Sequence, residues 1–383
     1  MNINPNVQAI LHQFLPSFQQ QHSLSLQQTK VCSQLMNCRT PAMGGQYVKC
    51  NTCEFTQRRY HSCRNRHCPQ CQQGATQAWT DQQMQNLLAE NYFHLVFTLP
   101  HELNDWVKQQ PDVIYRLLFR SVWQTIMQLG ADEKRLNGQM RMTAALHTWG
   151  QNLSQHVHLH CLIPGGALSV DGQHWHRAKS DYLFPVRALS RCFRGKMVSA
   201  LRQAKQSREL YLPGQLTRLL DTLMTKEWVV YAKHTLTQAQ SVVRYLARYT
   251  YKAAISNARI RQVDNSGVQF RWKDYRDEQQ KVMTLRADEF IRRYLLHVLP
   301  KGFMRIRHFG FLANRCRAKK LKLIQQLLLH DVTSTALTIE DSSTDIARPS
   351  VRARRCRCPK CRRGQMSVCY NFSVSHQRRL TTE

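Results

Sequence analysis

The sequence predicts an α+β fold, a small antiparallel sheet with flanking helices, preceded by a zinc-knuckle module. Three observations carry this. Residues Ser154–Gly166 alternate apolar and histidine positions with the period of a strand, strand-like runs are interspersed with apolar helical stripes, and cysteines crowd into CxxC pairs between Cys32 and Cys71.

The chain is 383 residues long, enough for a sizeable core and for more than one domain. Lys+Arg number 55 against 24 Asp+Glu, a formal net charge of +31. Such an excess favours a polyanion, through neutralised phosphates and released counterions, and nucleic acid is the leading partner. No stretch reaches the roughly 18 uninterrupted apolar residues that a membrane helix needs. Residues 1–21 lack the basic start, apolar run and small-residue cleavage site of a signal peptide. A reducing, cytoplasmic and nucleoid-associated location is therefore expected, in which fourteen cysteines serve as metal thiolates rather than as a disulfide framework.

In chain order, residues 1–30 read as one short amphipathic helix, with Ile10, Leu11, Phe14, Leu15 and Phe18 at helical spacing. Residues 31–80 form the zinc-binding, DNA-contacting domain. Cys50-x-x-Cys53 and Cys68-x-x-Cys71 have the form in which tight turns present two thiolates to one tetrahedral zinc, so these four are read as one closed structural site. Cys38, Cys63, His61 and His67 are left over, to make a second site or to exchange with one of the four. Arg58, Arg59, Arg64 and Arg66 on the same module could meet phosphates.

Residues 90–300 read as the catalytic domain. Tyr92–Thr98 is a strand ended by Pro100, Pro111–Leu129 a helix opened by proline and striped by Ile114, Leu118, Val122 and Ile126, and Met140–Thr148 a second strand. The histidine strand follows. Beyond it come a hairpin turn at Asp171-Gly172, a basic helix over Ala188–Gln206, a strand over Glu227–Lys233, a helix over Gln238–Tyr251, a return strand at Ser266–Trp272 and a helix over Glu289–Leu299. Residues 301–330 are a basic helical segment. Residues 331–383 read as a Ser/Thr/Asp-rich linker to about residue 350, then a basic tail holding Cys356, Cys358, Cys361 and Cys369, which is either a second zinc knuckle or a disordered run of reduced thiols.

Two stretches carry chemistry. If Ser154–Gly166 is a strand, Val157, Leu159, Cys161 and Ile163 face a core while His156, His158 and His160 share the other face, where imidazoles two apart reach one ion. The alternative is a half-buried strand that merely bears histidines. On the helix over Gln238–Tyr251, Tyr245 and Tyr249 are four apart and share a face, with Arg244 and Arg248 beside them as phosphate partners; the alternative is an aromatic packing pair. A phenol is a poor nucleophile at neutral pH, so tyrosine attack on a phosphodiester needs a Lewis acid at the phosphate. Together the two stretches suggest a phosphotyrosine intermediate that keeps the phosphodiester energy for rejoining.

The chain resembles the two-tyrosine HUH transposases of insertion sequence 91, relatives of rolling-circle replication initiators. The resemblance rests on Cys38-Arg39-Thr40 with Gly44-Gly45, on Ser62-Cys63-Arg64-Asn65-Arg66-His67-Cys68-Pro69-x-Cys71, on Phe97–Leu103, on Trp149-Gly150-Gln151, and on the histidine strand with Pro164-Gly165-Gly166. Tyr245-x-x-Arg248-Tyr249, Phe270–Arg276 and Arg307–Gly310 complete it. The histidines precede the tyrosines, the order of replication initiators and transposases rather than of relaxases. Gln46 departs from the pattern, which has a histidine after the paired glycines.

The resemblance implies an RRM- or palm-like HUH nuclease sheet with the histidines on its central strand. It implies His158 and His160 as ligands of Mg2+ or Mn2+, with Gln151 as third ligand and His156 as runner-up, Tyr245 and Tyr249 as nucleophiles, and structural Zn2+ in the N-terminal domain. The implied substrate is single-stranded or locally melted DNA at element ends, with a host helicase for unwinding, since no G-x-x-x-x-G-K-[ST] loop occurs. Two other classes remain open on the residues alone: a non-catalytic zinc-dependent DNA-binding protein, and a metal hydrolase with water as nucleophile.

Overall fold

A computed structural model describes residues 5–71, 80, 81, 84, 87, 88, 90–178, 182–211, 216–235, 253–274, 276–311, 317–335 and 357–373. The chain divides into two compact units, one of residues 1–71 with 338–383 and the other of residues 72–337.

The smaller unit opens with α1 (Val7–Gln21), capped by the Asn6 side chain, and α2 (Leu26–Met36), started by a capping box between Ser25 and Gln28. Where one helix was expected over residues 1–30 there are thus two, and the second runs on into the cysteine region. The polar run between them, with Ser25 as a cap, ends the first and starts the second. Strands β1 (Gly45–Cys50) and β2 (Thr56–Tyr60) form a hairpin.

In the larger unit come β3 (Tyr92–Thr98), α3 (Asn104–Gln109), α4 (Pro111–Gly130), β4 (Arg141–Trp149), β5 (Gln155–Pro164), and the short pair β6 (Gly166–Leu168) and β7 (Trp175–Arg177). Helices α5 (Val186–Gln206) and α6 (Leu216–Thr225) lead to β8 (Val230–Thr235). A meander of β9 (Ile260–Asp264), β10 (Gly267–Lys273) and β11 (Gln280–Leu285) follows, then α7 (Ala287–Leu295), β12 (Ile306–Gly310) and α8 (Arg317–Thr335). The stretch expected as a linker from residue 331 is therefore still helical to Thr335, because Leu321, Ile324 and Leu328 of α8 pack in a cluster with Leu168, Trp175 and Phe311. The last strand, β13 (Met366–Phe372), belongs to the smaller unit, where it pairs antiparallel with β1 to give the order β13-β1-β2.

The main sheet has the order β12-β4-β5-β3-β8, every pair antiparallel, so the histidine strand β5 is its centre. Its two faces differ. Phe93, Leu95 and Phe97 of β3, Met142, Ala144 and Leu146 of β4, and Val157, Leu159, Cys161 and Ile163 of β5 join one core with Ile114, Leu118, Val122 and Ile126 of α4 and Leu189, Phe193, Met197 and Leu201 of α5. Residues directly opposed on antiparallel strands point to the same side. The pairs Thr98↔His158, Val96↔His160, Ala145↔His160 and His147↔His158 therefore assemble the second face, which is the polar one.

Candidate active site and metal centres

On that second face His147, His158 and His160 come together, with one ring nitrogen from each within 4.8 Å of the others. The ring centroids of His147 lie 5.4 Å from His158 and 4.5 Å from His160. The strand period sets His158 and His160 on one side of β5, and antiparallel register adds His147 from β4 directly opposite His158.

The outer nitrogens are engaged. His158 Nδ1 donates to the His156 carbonyl at 2.9 Å, leaving Nε2 with its lone pair for an ion, and His160 Nδ1 lies 2.9 Å from His94 Nε2. The Trp149 ring stacks on His147 at 4.7 Å. Burial lowers His158 to about 4 and holds His160 well below the usual imidazole range, and His94 falls to about 4 from burial and the nearby Lys233. At neutral pH His158 and His160 are uncharged nitrogen donors, the form that ligates a divalent cation.

Of the residues expected here, His158 and His160 are in the cluster and two are not. His156 stands at the exposed start of β5 and contributes its backbone carbonyl to His158. Gln151 sits in the turn joining β4 to β5, where its carbonyl accepts from Arg259. Gln151 lies beyond the end of the paired strands, whereas His147 is paired across from His158, so the imidazole nearest this pair comes from the neighbouring strand. His147 lay within the strand expected over Met140–Thr148. Its signal was the polar alternation of Arg141, Thr143 and His147 on that strand. Tyr245, Tyr249, Arg244 and Arg248 lie outside the described residues.

The thiols also regroup. The sequence reading joined Cys50, Cys53, Cys68 and Cys71 in one site; the structure separates the two pairs. Cys68 and Cys71 meet Cys38 and Cys63, with Sγ–Sγ distances of 3.6 Å for Cys38–Cys71 and Cys63–Cys71 and 3.7 Å for Cys38–Cys68. Four thiolates at the usual Zn–S length of about 2.3 Å stand about 3.8 Å apart at the corners of a tetrahedron, so the set fits zinc. The Cys68 thiol holds Cys63 down at about 5, and the same contact raises Cys68. His67 is buried, and its backbone N–H donates to the Asn65 side chain at 2.8 Å. Cys50 and Cys53 belong to a second cluster with Cys358 and Cys361, because the turn between β1 and β2 points them at the tail and away from Cys68. Arg64 and Arg66 are exposed on the loop between Cys63 and Cys68.

The class of protein that carries such thiol and imidazole clusters is given by comparison with known sequences, which are transposases. Residues 142–320 match the family model described as a putative transposase, and residues 10–99 match the one described as a transposase zinc-binding domain. The chain is 40% identical to the putative transposase y4qJ of Sinorhizobium fredii over 94% of each chain. It is 26% identical to the transposase for insertion sequence element IS801 of Pseudomonas savastanoi pv. phaseolicola, over 79% of this chain and 74% of that one. The chain belongs to the insertion sequence 91 family of transposases, with an N-terminal zinc-binding module. Among solved structures, the conjugative relaxase TrwC in complex with mutant OriT DNA superposes on 42% of this chain and 75% of that one at 13% identity, with a TM-score of 0.24 that is too low to guide the assignment of any element. No helix among the described residues is long and apolar enough to cross a membrane.

Proposed function

We propose that this transposase nicks and rejoins single-stranded DNA through 5′-phosphotyrosine intermediates, with Tyr245 and Tyr249 as the nucleophiles. The observation that carries the reading is the gathering of His147, His158 and His160 on the polar face of the five-stranded sheet. Three imidazoles leave further coordination positions for phosphate and water oxygens, and of Mg2+ and Mn2+ they suit manganese, the one with more affinity for nitrogen. Bound there, the ion supplies a Lewis acid for the scissile phosphate.

The protein's own contribution is to orient the imidazoles. His156 and His94 fix the ring orientations of His158 and His160, and Trp149 packs against His147. The attacking phenol loses its proton as the phosphotyrosine bond forms, and the departing strand leaves with a 3′-hydroxyl. A second tyrosine four residues further along the sequence allows the receiving strand to be captured before the first is released.

The test is incubation with single-stranded element-end oligonucleotides and Mn2+ or Mg2+, followed by denaturing electrophoresis. A covalent protein–DNA band is expected from the wild type. It should vanish in Tyr245→Phe/Tyr249→Phe and in His147→Ala, His158→Ala and His160→Ala, with DNA binding near wild type in each. A single Tyr→Phe should keep one cleavage and lose the transfer that needs two. An adduct from the double phenylalanine variant would refute the assignment of the nucleophiles. Cleavage with no adduct at all would favour a hydrolase that uses water.

A further inference from the structure

The C-terminal tail meets the β1–β2 turn at the second thiol cluster. Cys50 and Cys361 Sγ are 3.8 Å apart and Cys53 and Cys358 Sγ 3.6 Å apart, and all four sulfurs lie within 4.8 Å of one another. These separations are too long for disulfides, whose sulfurs bond at about 2.05 Å, and they match the roughly 3.8 Å edge of a zinc tetrathiolate. Each pair is the CxxC of a tight turn whose backbone N–H groups point at sulfur. Thr52 N donates to Cys50 Sγ at 3.4 Å and Gly364 N to Cys361 Sγ at 3.3 Å.

Backbone contacts hold the two turns together as well. Asn51 N donates to the Gln365 carbonyl at 3.1 Å, and Gln365 N donates to Asn51 Oδ1 at 2.8 Å. The approach is close enough to need a glycine, since a Cβ on Gly364 would collide with Cys50 Sγ and stand 2.6 Å from Thr52 Oγ1. Past the turn, β13 pairs with β1 from Gly45↔Phe372 to Cys50↔Met366, and Tyr370 stacks on Tyr47 at 4.5 Å.

We propose that Cys50, Cys53, Cys358 and Cys361 form a second structural zinc site, half from each end of the chain, which clips the C-terminal tail onto the N-terminal module. Cys53 and Cys358 are 305 residues apart, so the larger unit is an insertion between two halves of one metal-bound module. Binding releases the remaining thiol protons to the buffer, and no oxidation is involved. The matched zinc-binding domain of residues 10–99 holds only the first half of this site.

The experiment is metal analysis of the full-length reduced protein. Two zinc ions per chain are expected in the wild type and one in Cys358→Ser/Cys361→Ser. One is also expected in Gly364→Val, which keeps every thiol and removes only the space that seats Cys50. A measurement independent of any ligand variant uses a specific protease site inserted between residues 340 and 345. After cleavage the tail fragment should stay bound through gel filtration and leave when a chelator is added. One zinc in the wild type, two in the double serine variant, or a tail fragment that leaves without chelator would each overturn the proposal.

Discussion

The two units of this transposase are held together by different physics. The larger one buries Phe97, Phe119 and Phe193 completely in a core shared by the sheet and two long helices. In the smaller one, β2 is exposed at Thr56, Gln57 and Arg58, and β13 is exposed from Ser367 to Asn371. A three-stranded sheet with that much side chain in water cannot offset its ordering entropy by apolar burial. The thiol clusters lie where that deficit is largest, at the turns and ends of these strands. Two routes to an ordered sheet thus coexist in one chain, and each fails under a different insult.

The largest expected effect separates them outright. Removing zinc should unfold the β13-β1-β2 sheet, since structural zinc contributes about 10–16 kcal/mol to modules of this kind. The five-stranded sheet should stay folded. Hydrogen exchange before and after chelation checks this, with amides of β2 losing protection and those of β5 keeping it; protection of β2 without metal would erase the contrast.

The converse insult should be smaller. Phe97→Ala empties a fully buried site on β3, against which Phe193 packs edge-on at 5.2 Å. A loss of about 3–5 kcal/mol is expected from the larger unit, read by denaturant unfolding, with zinc content unchanged.

Acid offers a finer probe of the larger unit. His297 is fully buried, with Nδ1 against Thr148 Oγ1 at 3.2 Å and Nε2 against the Leu153 carbonyl at 3.1 Å, and burial lowers it to about 4. Between pH 6.5 and 4 the unfolded chain carries a proton on this ring that the folded chain does not, so stability falls as pH falls through that window and the loss is complete below about 4. The slope approaches about 1.4 kcal/mol per pH unit for one proton. His297→Gln should show a shallower fall in denaturant titrations at stepped pH. An unchanged slope would mean that other buried histidines, such as His94, carry the whole dependence.

How much of this was legible in the sequence follows the reach of each interaction. The alternation Val157, His158, Leu159, His160 is written in consecutive residues, so both the apolar and the histidine-bearing sides of β5 could be read directly. The stripe on α4 is legible for the same reason, and all four expected residues are buried. The polar alternation on β4 marks His147, but its grouping with His158 was hidden because the pairing depends on strand order, which no local period encodes. The cysteines make the same point on a larger scale. CxxC spacing marked Cys50, Cys53, Cys68 and Cys71 as two pairs, but local spacing could not show that the first pair meets residues at the far end of the chain. The tyrosine pair lies outside the described residues and rests on the sequence reading.

The smallest effect tests whether the metal-held unit is also a DNA-contacting one. Arg64 and Arg66 are exposed on the loop between the zinc-fitting residues Cys63 and Cys68, and Arg64 holds a left-handed backbone at φ 50° that the closed thiol site constrains. An exposed arginine that neutralises one phosphate of a single strand contributes about 0.7 to the slope of log K against log salt. Arg64→Ala should therefore flatten that slope by about 0.7, and Arg64→Ala/Arg66→Ala by about twice as much, in fluorescence anisotropy with a single-stranded oligonucleotide across a salt series. Zinc content should not change, because neither side chain is a ligand. The same pair of substitutions should leave metal-dependent cleavage of saturating DNA untouched, since the imidazole cluster belongs to the other unit. A slope equal to wild type would place the phosphate contacts elsewhere among the chain's 55 basic residues and leave the smaller unit with a purely structural role.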